Sequence, residues 1–281
     1  GARGATPPPP RARPGGAPPP HEAAAAALWA AYRRRLADPG VAAATVIANP
    51  FARPVQAAAA PWTHRDRRIA QFSPLSPAAD FPERLRARID GAARRNLRKA
   101  QEAGITVAVE NDAVAFLRAC HRAGMAAMGG TPKPEAFFTL LPRCFRPDHD
   151  FRLYVARLDG EPVAALLVLY YGRFAEYFIP ATVAEHRALQ PMAATLWRAL
   201  CDAAAEGREV WNWGGTWTGQ TGVYRFKRKW GAEEAAYDYR VVVRNPALLA
   251  QTPAALTAAY PYFYVAPFAA LAPPSATPCS T

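Results

Sequence analysis

The sequence predicts an α+β fold with a central mixed sheet flanked by helices. Three observations carry this prediction: a run of strands joined by tight turns over residues 151–182, a long helix directly after it, and a strand–glycine–helix–strand block over residues 208–243. Strands, helix, strand, helix and strand in this order suggest a sheet with a splayed centre.

The three predicted strands form a meander. Their sequences are FRLYVARLDG, EPVAALLVLYYG and RFAEYFIPAT. Asp159-Gly160 and Gly172-Arg173 separate them and supply the residue types that tight hairpins need. A helix follows from Pro191, which favours a first helical turn, to Gly207, which is typical of a helix end. The last block predicts a strand at 208–213, a glycine pair, a helix at 223–231 and a strand at 235–243.

The N-terminal part begins with a segment unable to form a core. Residues 1–20 contain eight Pro and four Gly and no large apolar side chain, which predicts a disordered leader. A helix is expected from His21, because Leu28, Tyr32 and Leu36 form one apolar stripe. The other predicted elements are strands at 42–48, 68–72 and 105–110 and helices at 81–104, 113–128 and 134–145, of which the second is capped by Asp112.

The composition limits the partners and the compartment. A count of 34 basic against 22 acidic residues gives a net charge of +12. This favours RNA, a nucleotide or an anionic membrane surface as partner, although an arginine-rich composition can give the same charge with no function behind it. The four cysteines show no CxxC or neighbouring His spacing, so we expect a reduced, cytoplasmic protein with no metal site. With no apolar run of membrane-spanning length and no signal peptide, a soluble protein is expected.

The segment from Trp211 to Tyr239, WNWGGTWTGQTGVYRFKRKWGAEEAAYDY, carries the strongest motif. It resembles the closing motif of the Fem-type (FemAB/FemX-like) aminoacyltransferases of peptidoglycan bridges, a branch of the GNAT superfamily, and of related single-domain GNAT acetyltransferases. The matching residues are Asn212, Gly214, Gly215, Tyr224, Phe226, Lys227, Trp230 and Gly231. With two further segments, the resemblance covers residues 84–243 in the family's order.

The resemblance implies a GNAT-like fold and an amide-forming acyltransferase. It would move an aminoacyl group from aminoacyl-tRNA to an amine on a small molecule or a peptidoglycan precursor, with tRNA as partner and no bound cofactor. The loop with which GNAT enzymes bind acetyl-CoA is missing, since residues 187–192 contain no glycine that lets the backbone approach a pyrophosphate. An acyl-CoA-dependent N-acyltransferase stays an alternative, as does a non-catalytic RNA- or nucleotide-binding module.

Lys227 is the candidate catalytic residue. Acyl transfer passes through a tetrahedral oxyanion that a positioned cation stabilises, and the resemblance assigns a lysine here to the acyl-transfer site. Phe226 and Trp230 are expected to anchor the helix while Lys227 points to a cleft; a solvated basic face is the alternative. Glu176 and Asp238 are candidate bases, with no signal that favours either. The expected substrate-binding residues are Tyr177, Asn212, Trp213, Gly214, Gly215, Tyr224 and Phe226.

The predicted helix at 81–104 is strongly basic. Arg94 with Arg98, and Arg95 with Lys99, form two i, i+4 pairs of like charge. Such pairs destabilise an isolated helix, so a phosphate-rich ligand would compensate them; a solvated surface is the alternative. The expected nucleic-acid-binding residues are Arg94, Arg95, Arg98, Lys99, Arg225 and Arg228.

The sequence thus predicts four segments. A leader covers residues 1–20, and residues 21–104 form a short or incomplete second GNAT-like subdomain with the basic helix. Residues 105–245 form the acyltransferase domain, and residues 246–281 form a tail that packs back on the N-terminal part.

Overall fold

The structure is a computed structural model that describes residues 20–50, 61–216, 220–260 and 263–271. The strands are β1 (Ala43–Ile47), β2 (His64–Pro74), β3 (Thr106–Val109), β4 (Phe151–Leu158), β5 (Glu161–Tyr171), β6 (Phe174–Thr182), β7 (Val210–Thr216) and β8 (Glu233–Val243). The helices are α1 (Pro20–Leu36), α2 (Phe81–Arg88), α3 (Gly91–Glu102), α4 (Val114–Ala127), α5 (Glu135–Cys144), α6 (Pro191–Ala205), α7 (Thr221–Lys229) and α8 (Pro253–Ala259). None of the helices in these ranges has the length and apolar character needed to cross a membrane.

The chain divides into two compact units. The larger unit is residues 67–237, and the smaller unit combines residues up to 66 with those from 238 onwards. The predicted boundary at residue 104 stays a prediction. Leu85 of α2, Ile89 directly after it and Ala93 of α3 are buried in one core with α6. The leader lies outside the described residues except for Pro20, and residues 272–281 lie outside them too.

The larger unit is built on strands in the order β2-β7-β6-β5-β4-β3. Every pair in this order is antiparallel except β6 with β7, which is parallel. The predicted meander is therefore confirmed as β4, β5 and β6. Its first turn has Asp159 and Gly160 both at positive φ, the backbone that a two-residue hairpin turn of this twist requires.

The parallel pair at the centre of this unit separates after three residues. Phe174–Glu176 of β6 pairs with Val210–Asn212 of β7, and the ladder ends there, while β6 continues to Thr182. A bulge at Phe178 in the β5–β6 ladder adds a further bend to β6 immediately after this point. The predicted mixed, splayed sheet is confirmed, and Glu176 with Asn212 marks the point at which it opens.

Both faces of the sheet are covered. One core joins α2, α3 and α6 to the sheet and contains Trp211, Trp213 and Trp230. The other joins α4 and α5 to the opposite side chains of the meander, such as Leu153 and Val155. The alternation along β4 explains this division, because neighbouring residues of a strand face opposite sides.

Three local predictions differ from the structure. The basic helix is two helices, because the Asp90 side chain accepts a hydrogen bond from the backbone N–H of Ala93 at 2.7 Å and starts a new helix. The cap residue of α4 is Ala113, without a side-chain hydrogen bond, and not Asp112. The strand predicted to end before the glycine pair continues through it to Thr216.

The smaller unit contains α1, β1, α8 and the adjoining ends of β2 and β8. β1 pairs antiparallel with β8 from Ala43↔Val243 to Ile47↔Tyr239. Leu248, Leu256, Ala266 and Leu271 form a small core with Ala42, Ala43 and Val243 packed against it. That residues 21–104 form an incomplete second GNAT-like subdomain stays a prediction.

Candidate active site

Glu176 and Asn212 form a fixed polar pair where β6 and β7 separate. Asn212 Nδ2 donates to Glu176 Oε2 at 2.5 Å, and Asn212 Oδ1 accepts from the backbone N–H of Gly214 at 3.0 Å. The side-chain amide therefore bridges the carboxylate and the β7 backbone. Glu176 is half-buried, and the hydrogen bond from Asn212 holds its carboxylate in one orientation.

The environment of Glu176 favours its neutral form. Burial raises its pKa to about 7, and the hydrogen bond from Asn212 and the charge of Lys227 counter only part of this effect. A carboxyl group with this pKa can accept and release a proton near neutral pH. Proton transfer is therefore a chemistry that this position can perform.

Lys227 is buried on α7, with 4% of its surface exposed. Its Nζ donates to the carbonyl oxygens of Gly214 and Gly215 at 3.2 and 3.3 Å and to Thr216 Oγ1 at 2.9 Å. Three acceptors use all three donors of an ammonium group. Burial lowers the pKa of Lys227 to about 8, while the nearby Glu176 carboxylate raises it. The ammonium group thus holds the end of β7 instead of facing open space.

The end of β7 needs this support because its backbone is irregular. Gly214 has φ of 74°, a conformation that favours glycine. The β2–β7 ladder has a bulge on β7 here, with Trp213 and Gly214 opposite Gln71. The Gln71 side chain accepts from Thr216 Oγ1 at 2.8 Å and donates to the Tyr224 carbonyl oxygen at 3.2 Å. Gln71, Thr216 and Lys227 therefore join β2, β7 and α7 in one hydrogen-bonded network.

The larger unit also contains a cleft of about 480 Å³, lined in part by Phe226, the residue next to Lys227 on α7. Tyr177 comes from β6 and Phe226 from α7, and their rings pack on each other at 6.4 Å between centroids. The rest of the wall comes from α4, the far part of β6 and the start of α6: Cys120, His121, Gly124, Met125, Met128, Pro180, Ala181, Thr182, Arg187 and Met192.

The structure brings together several of the predicted substrate-binding residues. Tyr177 and Phe226 line the cleft, and Asn212 donates a hydrogen bond to Glu176. A Cβ at Gly214 would lie 3.7 Å from Glu176 Oε1. Gly215 is exposed, and a Cβ there would overlap the hydroxyl oxygen of Tyr237. These assignments stay predictions.

Two other predicted residues lie apart from the cleft wall. Trp213 is 2% exposed, and its indole N–H donates to Ser73 Oγ at 3.0 Å, so it belongs to the core beneath Tyr177. Tyr224 is half-buried, and its hydroxyl interacts with Glu234, which raises its pKa. Trp213 supports the site through packing, and Tyr224 through the network with Gln71.

The predicted nucleic-acid-binding cations divide into two groups. Arg94 donates to the carbonyl oxygens of Ile89 and Arg86 at 2.6 and 3.2 Å and so holds the end of α2. The remaining predicted cations lie at exposed positions of α3 and α7: Arg95, Arg98, Lys99, Arg225 and Arg228. Nucleic-acid binding by any of them stays a prediction.

Sequence reasoning left the base open between Glu176 and Asp238. Asp238 belongs to the smaller unit, where Arg65 pairs with it at 2.7 Å. Neither the Glu176–Asn212 pair nor the contribution of α4 to the cleft was predicted. The pairing register of β6 and β7 is the signal that would reveal the Glu176–Asn212 pair, because it sets Glu176 and Asn212 side by side.

Residues 85–228, just over half of the chain, match the family described as an acetyltransferase (GNAT) domain. No curated protein sequence matches the chain. Among solved structures, FemX is similar, with a TM-score of 0.55 and 14% identity over 64% of this chain and 62% of that chain. This likeness supports the fold.

Two further solved structures are more distant. L-PGS from Bacillus licheniformis has a TM-score of 0.43 and 12% identity over 66% of this chain and 64% of that chain. A GCN5-related N-acetyltransferase from Kribbella flavida has a TM-score of 0.38 and 15% identity over 70% of this chain and 59% of that chain. The chain spans less than two thirds of each of these three structures. By the match over residues 85–228, the chain belongs to the acetyltransferase (GNAT) domain family.

Proposed function

We propose that the chain transfers an aminoacyl group from aminoacyl-tRNA to an amine, with Glu176 as the group that accepts the proton of the amine. The observation that carries the proposal is the half-buried Glu176 carboxylate, fixed by Asn212 at the opening between β6 and β7. Its position at this opening, where the two strands of the sheet part, supports contact with the reacting atoms.

The proposed reaction forms one bond and breaks another. The amine nitrogen bonds to the ester carbonyl carbon, and the bond from that carbon to the ribose oxygen breaks. Glu176 accepts the proton that the nitrogen loses and returns it to the departing ribose oxygen, so the carboxylate ends unchanged. A pKa of about 7 suits both transfers, since the two forms of the group are then similarly populated near neutral pH.

Lys227 is proposed as a positioning residue in this scheme. It holds the carbonyl oxygens of Gly214 and Gly215, and its charge lowers the pKa of Glu176. The catalytic role that the Fem-type resemblance implies for a lysine here is thus exerted through the backbone of β7 and through Glu176.

The backbone before α6 supports a tRNA-borne donor over acyl-CoA. The turn Ala184–Leu189 contains no glycine, Gln190 follows it in the left-handed conformation with φ of 60°, and Pro191 occupies the first helical position. Proline brings no backbone N–H, so this helix start offers a phosphate one donor fewer. The exposed cations of α3 and the Fem-type motif support the same donor.

The experiment compares donors with the same amines. The full chain is incubated with a mixture of amines and either a radiolabelled aminoacyl-tRNA pool or radiolabelled acetyl-CoA, and amide products are separated by mass. Amides are expected only with charged tRNA, and digestion of the charged pool with ribonuclease beforehand should abolish them. Amide formation from acetyl-CoA alone would reject the proposal in favour of an acyl-CoA-dependent N-acyltransferase. No product from either donor would reject both transferases in favour of a non-catalytic binding module.

A further inference from the structure

One feature of the cleft is independent of the proton-transfer site: the sequence has three methionines, and all of them line it. Met125 and Met128 come from α4 and its C-terminal end, and Met192 comes from the first turn of α6. Met128 is 71% exposed. Methionine is flexible and polarisable, so a wall of methionines adapts to apolar groups of different shape.

Most of the remaining described wall of the cleft is also apolar. Phe226, Pro180 and Ala181 contribute rings and aliphatic surface, and none of the lining residues within the described ranges is acidic. Burial and the charge of Lys133 lower the pKa of His121, and its Nε2 accepts from the backbone N–H of Lys133 at 3.1 Å, so the ring is neutral at neutral pH. Arg187 supplies the single permanent charge among the described lining residues, and it is positive.

A cationic group would meet no compensating charge on such a wall, and its desolvation would be costly. A hydrocarbon chain or an aromatic group has no charge to desolvate, so moving it from water to this wall is favourable. A volume of about 480 Å³ falls within the range of small-molecule pockets. The wall therefore discriminates by charge and by apolar surface more than by exact shape.

We propose that this methionine-lined cleft selects a substrate with an extended, uncharged apolar group, held with its reacting amine or ester end towards Glu176. The proposal rests on the proposed function and names the substrate class of that site. The apolar group is either the side chain of the aminoacyl donor or the hydrocarbon part of the amine acceptor. These two sources present the same chemistry to the wall.

Binding can be measured without any turnover. In full chain labelled with [methyl-¹³C]methionine, the methionine signals of the sequence all report on the cleft, and single Met→Leu variants assign them. Titration with n-alkylamines of increasing length should shift these signals, and the dissociation constant should fall about fourfold for each added methylene. Diamines of equal length, which carry a second charge, should bind at least an order of magnitude more weakly, the loss that about two unburied methylenes give.

A matched pair of variants tests the wall directly. Met125→Glu places a carboxylate in the cleft and should reverse the preference towards diamines. Leu140→Glu changes an exposed residue of α5 that does not line the cleft, and it should leave both affinities unchanged. Methyl signals that stay in place with long alkylamines, or equal affinity for alkylamines and diamines, would overturn the proposal.

Turnover distinguishes the two sources and separates the two proposals. One arm varies the donor among leucyl-, phenylalanyl-, aspartyl- and lysyl-tRNA with a fixed amine, and the other varies the amine with a fixed donor. A preference for apolar members in either arm supports the proposal and identifies the source. Methyl shifts without transfer from any charged tRNA would reject the proposed function and keep the cleft assignment. Transfer without any preference for apolar donors or apolar amines would keep the proposed function and reject the cleft assignment.

Discussion

At the scale of single residues, the environment of Glu176 governs what the site can do. The same carboxyl group on an open surface would be ionised over the whole neutral range, whereas burial places its titration near pH 7. The hydrogen bond from Asn212 fixes its orientation. The pH dependence of the reaction is therefore a direct probe of this residue.

Glu176→Gln should reduce kcat/KM by about two to four orders of magnitude, the contribution typical of a positioned proton acceptor. In the unchanged protein, kcat/KM should rise with pH through about 7, because the carboxylate is the active form. The variant should lose this rise. Glu185→Gln, an exposed change on the turn before α6, serves as control and should keep both the rate and the profile. An unchanged profile in Glu176→Gln would show that another group titrates.

The free energy of unfolding should also depend on the titration of Glu176, and it should fall with rising pH where kcat/KM rises. The folded state holds the Glu176 proton up to about pH 7, while the unfolded chain releases it near pH 4.5. This group's contribution to the free energy of unfolding is therefore present at low pH and decreases as the pH rises between these values. Chemical unfolding of Glu176→Gln should show a shallower decrease over this range than the unchanged chain.

Lys227→Met should lower both stability and activity. The change leaves two carbonyl oxygens and the Thr216 hydroxyl without their donor, which costs about 1–3 kcal/mol of unfolding free energy. Because the Lys227 charge lowers the pKa of Glu176, the rise of kcat/KM should also move to higher pH. Lys229→Met, at an exposed position on the same helix, is the control. An unfolding free energy equal to that of the control would argue against the positioning role.

At the scale of elements, the local signals in the sequence were reliable at two turns and failed at the start of α4, where Asp112 is not the cap. Asp159-Gly160 predicted the first hairpin of the meander, and Pro191 predicted the first turn of α6. Asp90 before Gly91 is a signal of the same kind, and it divides the basic segment into α2 and α3. It was missed because the regular spacing of basic residues suggested one continuous helix. The side chain of Lys227 could not be placed from periodicity, because its partners lie on another element.

Asp90→Ala should destabilise the chain by about 1 kcal/mol, since it removes the side-chain cap of α3. Asp80→Ala is the matched control: Asp80 stands at the cap position of α2 but makes no capping hydrogen bond, and its exposed ion pair with Arg84 contributes little. Urea unfolding of both variants measures the difference. Equal loss in the two variants would mean that the cap does not stabilise the break between the helices.

At the scale of the whole molecule, the order of elements was enough to predict a splayed α+β sheet, and the motif from Trp211 to Tyr239 was enough to suggest its family. The point at which β6 and β7 part was not accessible, because it depends on the register between residues far apart in the chain, Glu176 and Asn212. The cleft was inaccessible for the same reason. Met125 and Met192 share it only because α4 and the start of α6 approach the same strand.

The net charge of +12 is a property of the whole chain, and the proposed tRNA donor gives it a measurable consequence. Arg95 and Arg98 on α3 are exposed, so a phosphate backbone bound there would release counterions for each cation that it meets. Binding of tRNA should weaken steeply with salt, and Arg95→Gln with Arg98→Gln should reduce the slope of log K against log salt by about 0.7–0.9 for each phosphate that is no longer neutralised. Fluorescence anisotropy of labelled tRNA at several salt concentrations measures this slope.

The control for this prediction carries the same change in net charge elsewhere. Arg33→Gln with Arg34→Gln removes two exposed cations from α1, in the smaller unit. If α3 binds the phosphates, the α1 pair should leave the slope unchanged, since cations that contact no phosphate release no counterions. Equal slopes for both double variants would mean that tRNA responds to overall charge, and α3 would then be a solvated helix surface.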